Sequence, residues 1–105
     1  MKIILDNRTP APLGRHLPGH LVHHCSDVGW ERLENGKLLA EAEAKYDLFI
    51  TCDLNMRYQQ NMKGRKIAIL ELRIQHWPKL RQLVAQIAQA VDAMQPGEYR
   101  ILLQS

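Results

Sequence analysis

Asp47-Leu48-Phe49-Ile50-Thr51-Cys52-Asp53 is the stretch on which the reading of the fold turns. Leu48, Phe49 and Ile50 follow one another with no polar residue between them. A strand that faces solvent on one side alternates, so an unbroken run this short belongs to a strand covered on both faces, as in a parallel sheet. The run ends in Cys52-Asp53, which places a carboxylate at its carboxyl tip. Open parallel sheets bind ligands outside the carboxyl ends of their strands.

Working outward, similar segments alternate with longer amphipathic ones. Lys66–Leu72 is near-continuously apolar and reads as a second central strand. Lys2–Leu5 is a short β-rich run stopped by Asp6-Asn7, His20–Cys25 has strand-like content, and Tyr99–Leu103 supplies a fifth strand. Between them, Pro10 and Pro12 admit at most a short helix through His16. Asp27–Asn35 reads as turn or irregular, with Gly29 and Gly36 as breakers. Lys37–Lys45 has helical spacing with Asn35 as its N-cap, and Leu54–Met62 reads as a short helix ended by Gly64. From Pro78, the residues Leu80, Leu83, Val84, Ile87, Val91 and Met94 mark one face of a single long helix that Pro96-Gly97 stops. Five strands with such crossovers predict an α/β fold: one domain over 1–105, three layers, and a mostly parallel five-stranded sheet.

Composition agrees. Over 105 residues, 46% are hydrophobic and 24% charged, ordinary globular values that exclude disorder, collagen-like repeats and a coiled coil. Lys and Arg number 14 against 11 Asp and Glu, a formal charge of +3, but the charges are interspersed and do not by themselves indicate nucleic acid. No signal-peptide core or membrane-length apolar run is present, so a cytoplasmic protein is expected, with Cys25 and Cys52 as reduced core residues.

Two carboxylates, Asp6 and Asp53, close the first and third strands. If those strands are neighbours facing solvent at one rim, both acids can share a hydrated Mg²⁺ or Mn²⁺, which prefer oxygen ligands. The competing reading is structural: an acid after a strand also caps the segment that follows. His16, His20, His23 and His24 lie near Cys25, but adjacent His23 and His24 point to opposite faces of a strand, which argues against zinc. Trp30 reads as a packing anchor and Tyr58 as a base-stacking or locally packed aromatic. His76 and Trp77 set the approach to the long helix.

The opening Lys2-Ile3-Ile4-Leu5-Asp6-Asn7, the Gly29-Trp30 turn, Asn35-Gly36-Lys37-Leu38-Leu39, and the segment from Asp47 through Asn55 with Tyr58-Gln59-Gln60-Asn61 resemble the small PIN-like domains related to VapC toxins. The likeness covers nearly the whole chain, and its most specific part is the strand ending in Thr-x-Asp. It implies a metal-dependent ribonuclease, the toxin half of a toxin–antitoxin pair. Asp6 and Asp53 would be its catalytic and metal-binding acids, RNA its substrate, an antitoxin protein its partner and a homodimer its assembly.

The fuller family pattern gathers three or four carboxylates. Here Asn35 occupies a position that is commonly acidic and Asn7 follows Asp6, so attenuated activity is expected, with Glu34 as a substitute acid. Asn7, Asn35 and Asn55 are secondary polar ligands in this reading, and Arg8, Arg57, Lys63, Arg65 and Lys66 hold flanking phosphates. The alternative is a PIN-like module that binds RNA or a protein without cutting. A third reading takes Asp53 as the phosphoacceptor of a receiver domain. That reading lacks both the acidic pair after the first strand and a Lys near the last.

Overall fold

The computed structural model describes residues 1–33, 35–52 and 66–102. Five strands form one all-parallel sheet: β1 (Lys2–Leu5), β2 (Leu21–His24), β3 (Leu48–Thr51), β4 (Ala68–Glu71) and β5 (Tyr99–Ile101), in the spatial order β2-β1-β3-β4-β5. Every neighbouring pair is parallel, so the expected mostly parallel sheet is parallel throughout. The order reverses between β1 and β3. That is the position where a doubly wound sheet opens a crevice, because the chain leaves these two strands toward opposite sides.

Helices cover both faces and give three layers. On one face, Ile4, Phe49, Ile67 and Ile69 pack with Leu38, Leu39 and Ala42 of α1 (Asn35–Lys45), with Cys25, and with Tyr46. On the other, Ile3, Leu5, Leu48, Ile50, Ala68 and Leu70 meet Leu80 of α2 (Trp77–Arg81) and Ile87 and Val91 of α3 (Val84–Ala93), with Leu13 and Leu17 from a 3₁₀ turn. The strict alternation 3/5 against 4, and 48/50 against 49, shows why the central strands are apolar at every position: each residue faces one of two cores. Ile3, Ile4, Leu48, Phe49, Ile50, Ile69 and Leu70 are all fully buried. Burial of a side chain of this size contributes about 1.5–3 kcal/mol.

The structure corrects the expected elements in three places. The long helix is two, because Leu83 (φ −110°, ψ 8°) breaks the ladder: its N–H donates to Leu80 three residues back, and helical bonding resumes from Ile87 to Leu83. Neither Gly nor Pro marks the break. The irregular segment contains a 3₁₀ turn, Cys25–Val28, which Gly29 closes in the left-handed conformation (φ 75°) that glycine adopts without steric penalty. Asn35 is the first residue of α1 rather than a cap outside it. The expected helix over 54–62 lies outside the described residues.

Candidate functional site

The carboxyl ends of β1, β3 and β4 carry one row of polar side chains in an otherwise apolar interior. Asp6, Thr9, Thr51 and Glu71 are the buried polar residues among those described, with exposures of 4%, 1%, 0% and 0%. Register explains the row. Leu5 pairs with Ile50 and Thr51 pairs with Glu71, and the ladder continues one step through the Asp6 N–H to the Ile50 carbonyl at 3.1 Å. Asp6, Thr51 and Glu71 therefore sit side by side on three adjacent strands. Each lies two residues after a core residue of the α1 face (Ile4, Phe49 and Ile69), so all three share that face.

Asp6 is held by hydroxyl and amide donors. Its Oδ1 accepts from the Thr9 hydroxyl at 2.5 Å and the Thr9 N–H at 3.0 Å, and its Oδ2 accepts from the Thr51 hydroxyl at 2.5 Å. Such charge-assisted bonds are roughly twice as strong as neutral ones. The expectation that Asp6 faces solvent is thus corrected: it is buried, and in part it performs the capping role named as the competing reading.

Thr9 is itself positioned by His24. The His24 Nδ1 accepts the Ser26 N–H at 3.1 Å, which leaves its proton on Nε2, and Nε2 donates to the Thr9 carbonyl at 2.9 Å. A backbone N–H can only donate and a carbonyl can only accept, so these two bonds fix the tautomer. Sequence reasoning considered His24 only as a zinc ligand and did not single out Thr9. The signal available was Thr9 three residues after Asp6, the spacing of a side chain closing its own turn.

Both thiols feel this site from opposite faces of the sheet. Burial pushes Cys25 up to about 12, helped by the negative charges of Asp6 and Glu31. Burial also pushes Cys52 up to about 12; a hydrogen bond with Thr9 works against this and Asp6 adds to it. Both cysteines are free and buried, as expected from the sequence.

Glu71 differs from Asp6 in how its oxygens are used. Its Oε1 accepts from the Arg73 Nε at 3.2 Å, whereas its Oε2 is buried with no hydrogen-bond partner among the described residues. Among the described residues, Arg73 is the one left-handed non-glycine (φ 59°), and its Nη2 is likewise buried without a partner. Sequence reading passed over Glu71 inside an apolar strand. Its signal was the charge itself, one carboxylate between Leu70 and Leu72 in a segment whose neighbours are all buried.

The remaining expected site residues fall in different places. Asn7 is exposed, and its Nδ2 donates to the Glu31 carbonyl at 2.7 Å, tying the loop after β2 to the rim. Arg8 is exposed beside it. Lys66 is corrected: it precedes the start of β4, at the opposite edge of the sheet from Asp6, and does not follow the acidic tips. The backbone of Asn35 opens α1, but its side chain is not among those described. Glu34, Asp53, Asn55, Arg57, Tyr58, Lys63 and Arg65 lie outside the described residues. Chain order alone puts Asp53 next after Cys52, whose carbonyl accepts from the Gln75 Nε2 at 3.2 Å.

The histidines disperse rather than converge. His16 stacks near Trp77 at 5.7 Å, His20 bonds Asp92 at 2.7 Å, and His23 bonds the Tyr46 hydroxyl at 2.8 Å. Trp30 packs edge-on against Tyr46 at 5.8 Å, as an anchor should. Among the described residues, no group of three or more His, Cys, Asp or Glu side chains is placed to hold a metal ion. In kind, the carboxylate oxygens of Asp6 and Glu71 are the hard donors that suit Mg²⁺ or Mn²⁺.

Compared with known proteins, the chain matches no family model, and no curated protein or solved structure was found to resemble it. Among the described residues, no helix is long and apolar enough to cross a membrane.

Proposed function

We propose that this chain is a PIN-like endoribonuclease of attenuated activity, dependent on Mg²⁺ or Mn²⁺, whose acidic centre is the rim between β1 and β3. The observation that carries the reading is the Asp6 carboxylate, clamped by Thr9 and Thr51 at the switch point of the sheet, with Thr51 the threonine of the Thr-x-Asp sequence. Two hydroxyls and an amide fix the orientation of that carboxylate before any ligand arrives. Such preorganisation is what charge stabilisation in a transition state requires. Asp6 and Asp53 would hold the cation. When bound, such a cation lowers the pKa of a water and offsets charge on a phosphate. Arg8, exposed two residues after Asp6, would meet the flanking backbone of an RNA in this reading. The role as toxin of a toxin–antitoxin pair, with an antitoxin partner and a homodimeric assembly, is supported by the sequence resemblance alone.

The test is cleavage of single-stranded RNA by purified protein in Mn²⁺ or Mg²⁺. Wild type is expected to cut, and Asp53→Asn to abolish cutting. RNA bound but left intact under every cation would overturn the nuclease reading in favour of the binding module. The strand order observed here is also that of receiver domains, which favours keeping that reading in view. It ranks lower because Asn7 stands where a second acid is needed, and because Tyr99–Ser105 contains no Lys. Stable phosphorylation of Asp53 by a small phosphodonor would reverse that ranking.

A further inference from the structure

We propose that Glu71 is a further carboxylate of the acidic centre, its Oε2 serving as an oxygen ligand for a divalent cation beside Asp6. The inference rests on the nuclease reading and deepens it, since the resemblance assigns no role to this position. Glu71 is fully buried, and a buried carboxylate oxygen with no donor is costly to maintain. Native structures leave few such atoms unexplained, and a role as a cation ligand is one explanation.

Three further observations point the same way. First, Glu71 lies in register with Thr51, whose hydroxyl binds Asp6, so the orphan oxygen belongs to the same row and the same face as the clamped carboxylate. Adjacent strands lie about 4.8 Å apart, which sets the Asp6 and Glu71 backbones about 10 Å apart with only Thr51 between them. Second, Arg73 engages Oε1 through a single Nε contact at 3.2 Å and not through a two-pronged fork. A guanidinium that merely neutralised Glu71 would take both oxygens, the geometry that makes Arg–carboxylate pairs strong. Third, the arrangement is held by a left-handed Arg73 backbone, a conformation that persists only where the surroundings impose it. Glu71 supplies the charge that the asparagines at positions 7 and 35 do not.

Calorimetric titration of the full chain with Mn²⁺, in the absence of RNA, tests this directly. Glu71→Gln preserves size and the Oε1 contact to Arg73 but removes the charge and places an amide at Oε2. It is expected to weaken Mn²⁺ binding at least about tenfold, since even outer-shell partners of a metal are worth 10–100-fold. Glu98→Gln, the same change at the opposite edge of the sheet, is expected to leave Mn²⁺ affinity unaltered.

Equal affinity of wild type and Glu71→Gln overturns the proposal, even where RNA is still cut and the nuclease reading stands. Weakened binding with no RNA cleavage by wild type upholds the cation site while the nuclease reading fails. If wild type binds no Mn²⁺, both fall. Should circular dichroism show that Glu71→Gln does not fold, Glu71→Asp decides by the same criterion, because it keeps the charge and withdraws the oxygen by one methylene.

Discussion

The two ends of the sheet carry acids of very different character. At the amino edge, Asp47 is exposed and accepts the Lys2 N–H at 2.8 Å, and Asp92, 67% exposed, bonds His20. An open cleft of about 540 Å³ lies there, lined by Met1, Glu43, Tyr46, Asp47, Lys66 and Met94 among others. At the carboxyl rim Asp6 and Glu71 are buried, and the polar atoms around Asp6 are matched donor to acceptor. This cleft is therefore not where the buried polar structure is built. Water already solvates the amino-edge carboxylates, so fixing them gains little; the rim carboxylates have lost water and depend on neighbours held in place.

Alkaline titration should sharpen this contrast most strongly. Cys25 and Cys52 stay protonated in the folded chain to about 12, against an ordinary value of 9.0. Between those limits unfolding releases protons, so the stabilisation is complete below about pH 9 and is lost as pH rises toward 12. The fall is about 1.4 kcal/mol per pH unit for each thiol. Urea melts from pH 7 to 11 should show the decline, and the Cys25→Ala/Cys52→Ala pair should flatten it; an unchanged slope would assign the effect elsewhere.

Next in size, Thr51→Val keeps the shape but takes the donor from the Asp6 Oδ2, with an expected loss of about 1–3 kcal/mol in urea-derived stability. Thr51→Ser should recover most of it. Val and Ser behaving alike would mean that packing, not the hydroxyl, matters at this position. Smallest is the amino edge, where Asp47→Ala is expected to change stability by no more than about 0.5 kcal/mol. A loss as large as that of Thr51→Val would erase the distinction between the two ends.

Much of the fold was legible because the central strands face two cores. Leu48-Phe49-Ile50 and Ile67–Leu70 carry no alternation to misread, and their number and spacing fix a covered parallel sheet. The break at Leu83 was not legible, since its backbone angles arise from tertiary packing and no residue type announces them. Of the site, Asp6 was found by its position after a strand. Of the residues that hold it, Thr9 lies only three positions on, within reach of a local reading, whereas residues 24 and 51 are distant in sequence and are brought to it by strand register. Glu71 was hidden by the company it keeps: period analysis averages a lone charge into an apolar run, although burial makes that charge the most informative residue of β4.

β1 is made before both of its neighbours and stands next to the centre of the finished sheet, between β2 and β3. During synthesis, Asp6 waits until residue 51 has emerged before its Oδ2 meets the Thr51 hydroxyl. A nascent or truncated chain ending before β3 would expose a bare strand edge, open to pairing with other chains. A chain ending before β3 therefore lacks the hydroxyl that holds the Asp6 Oδ2 in the finished fold.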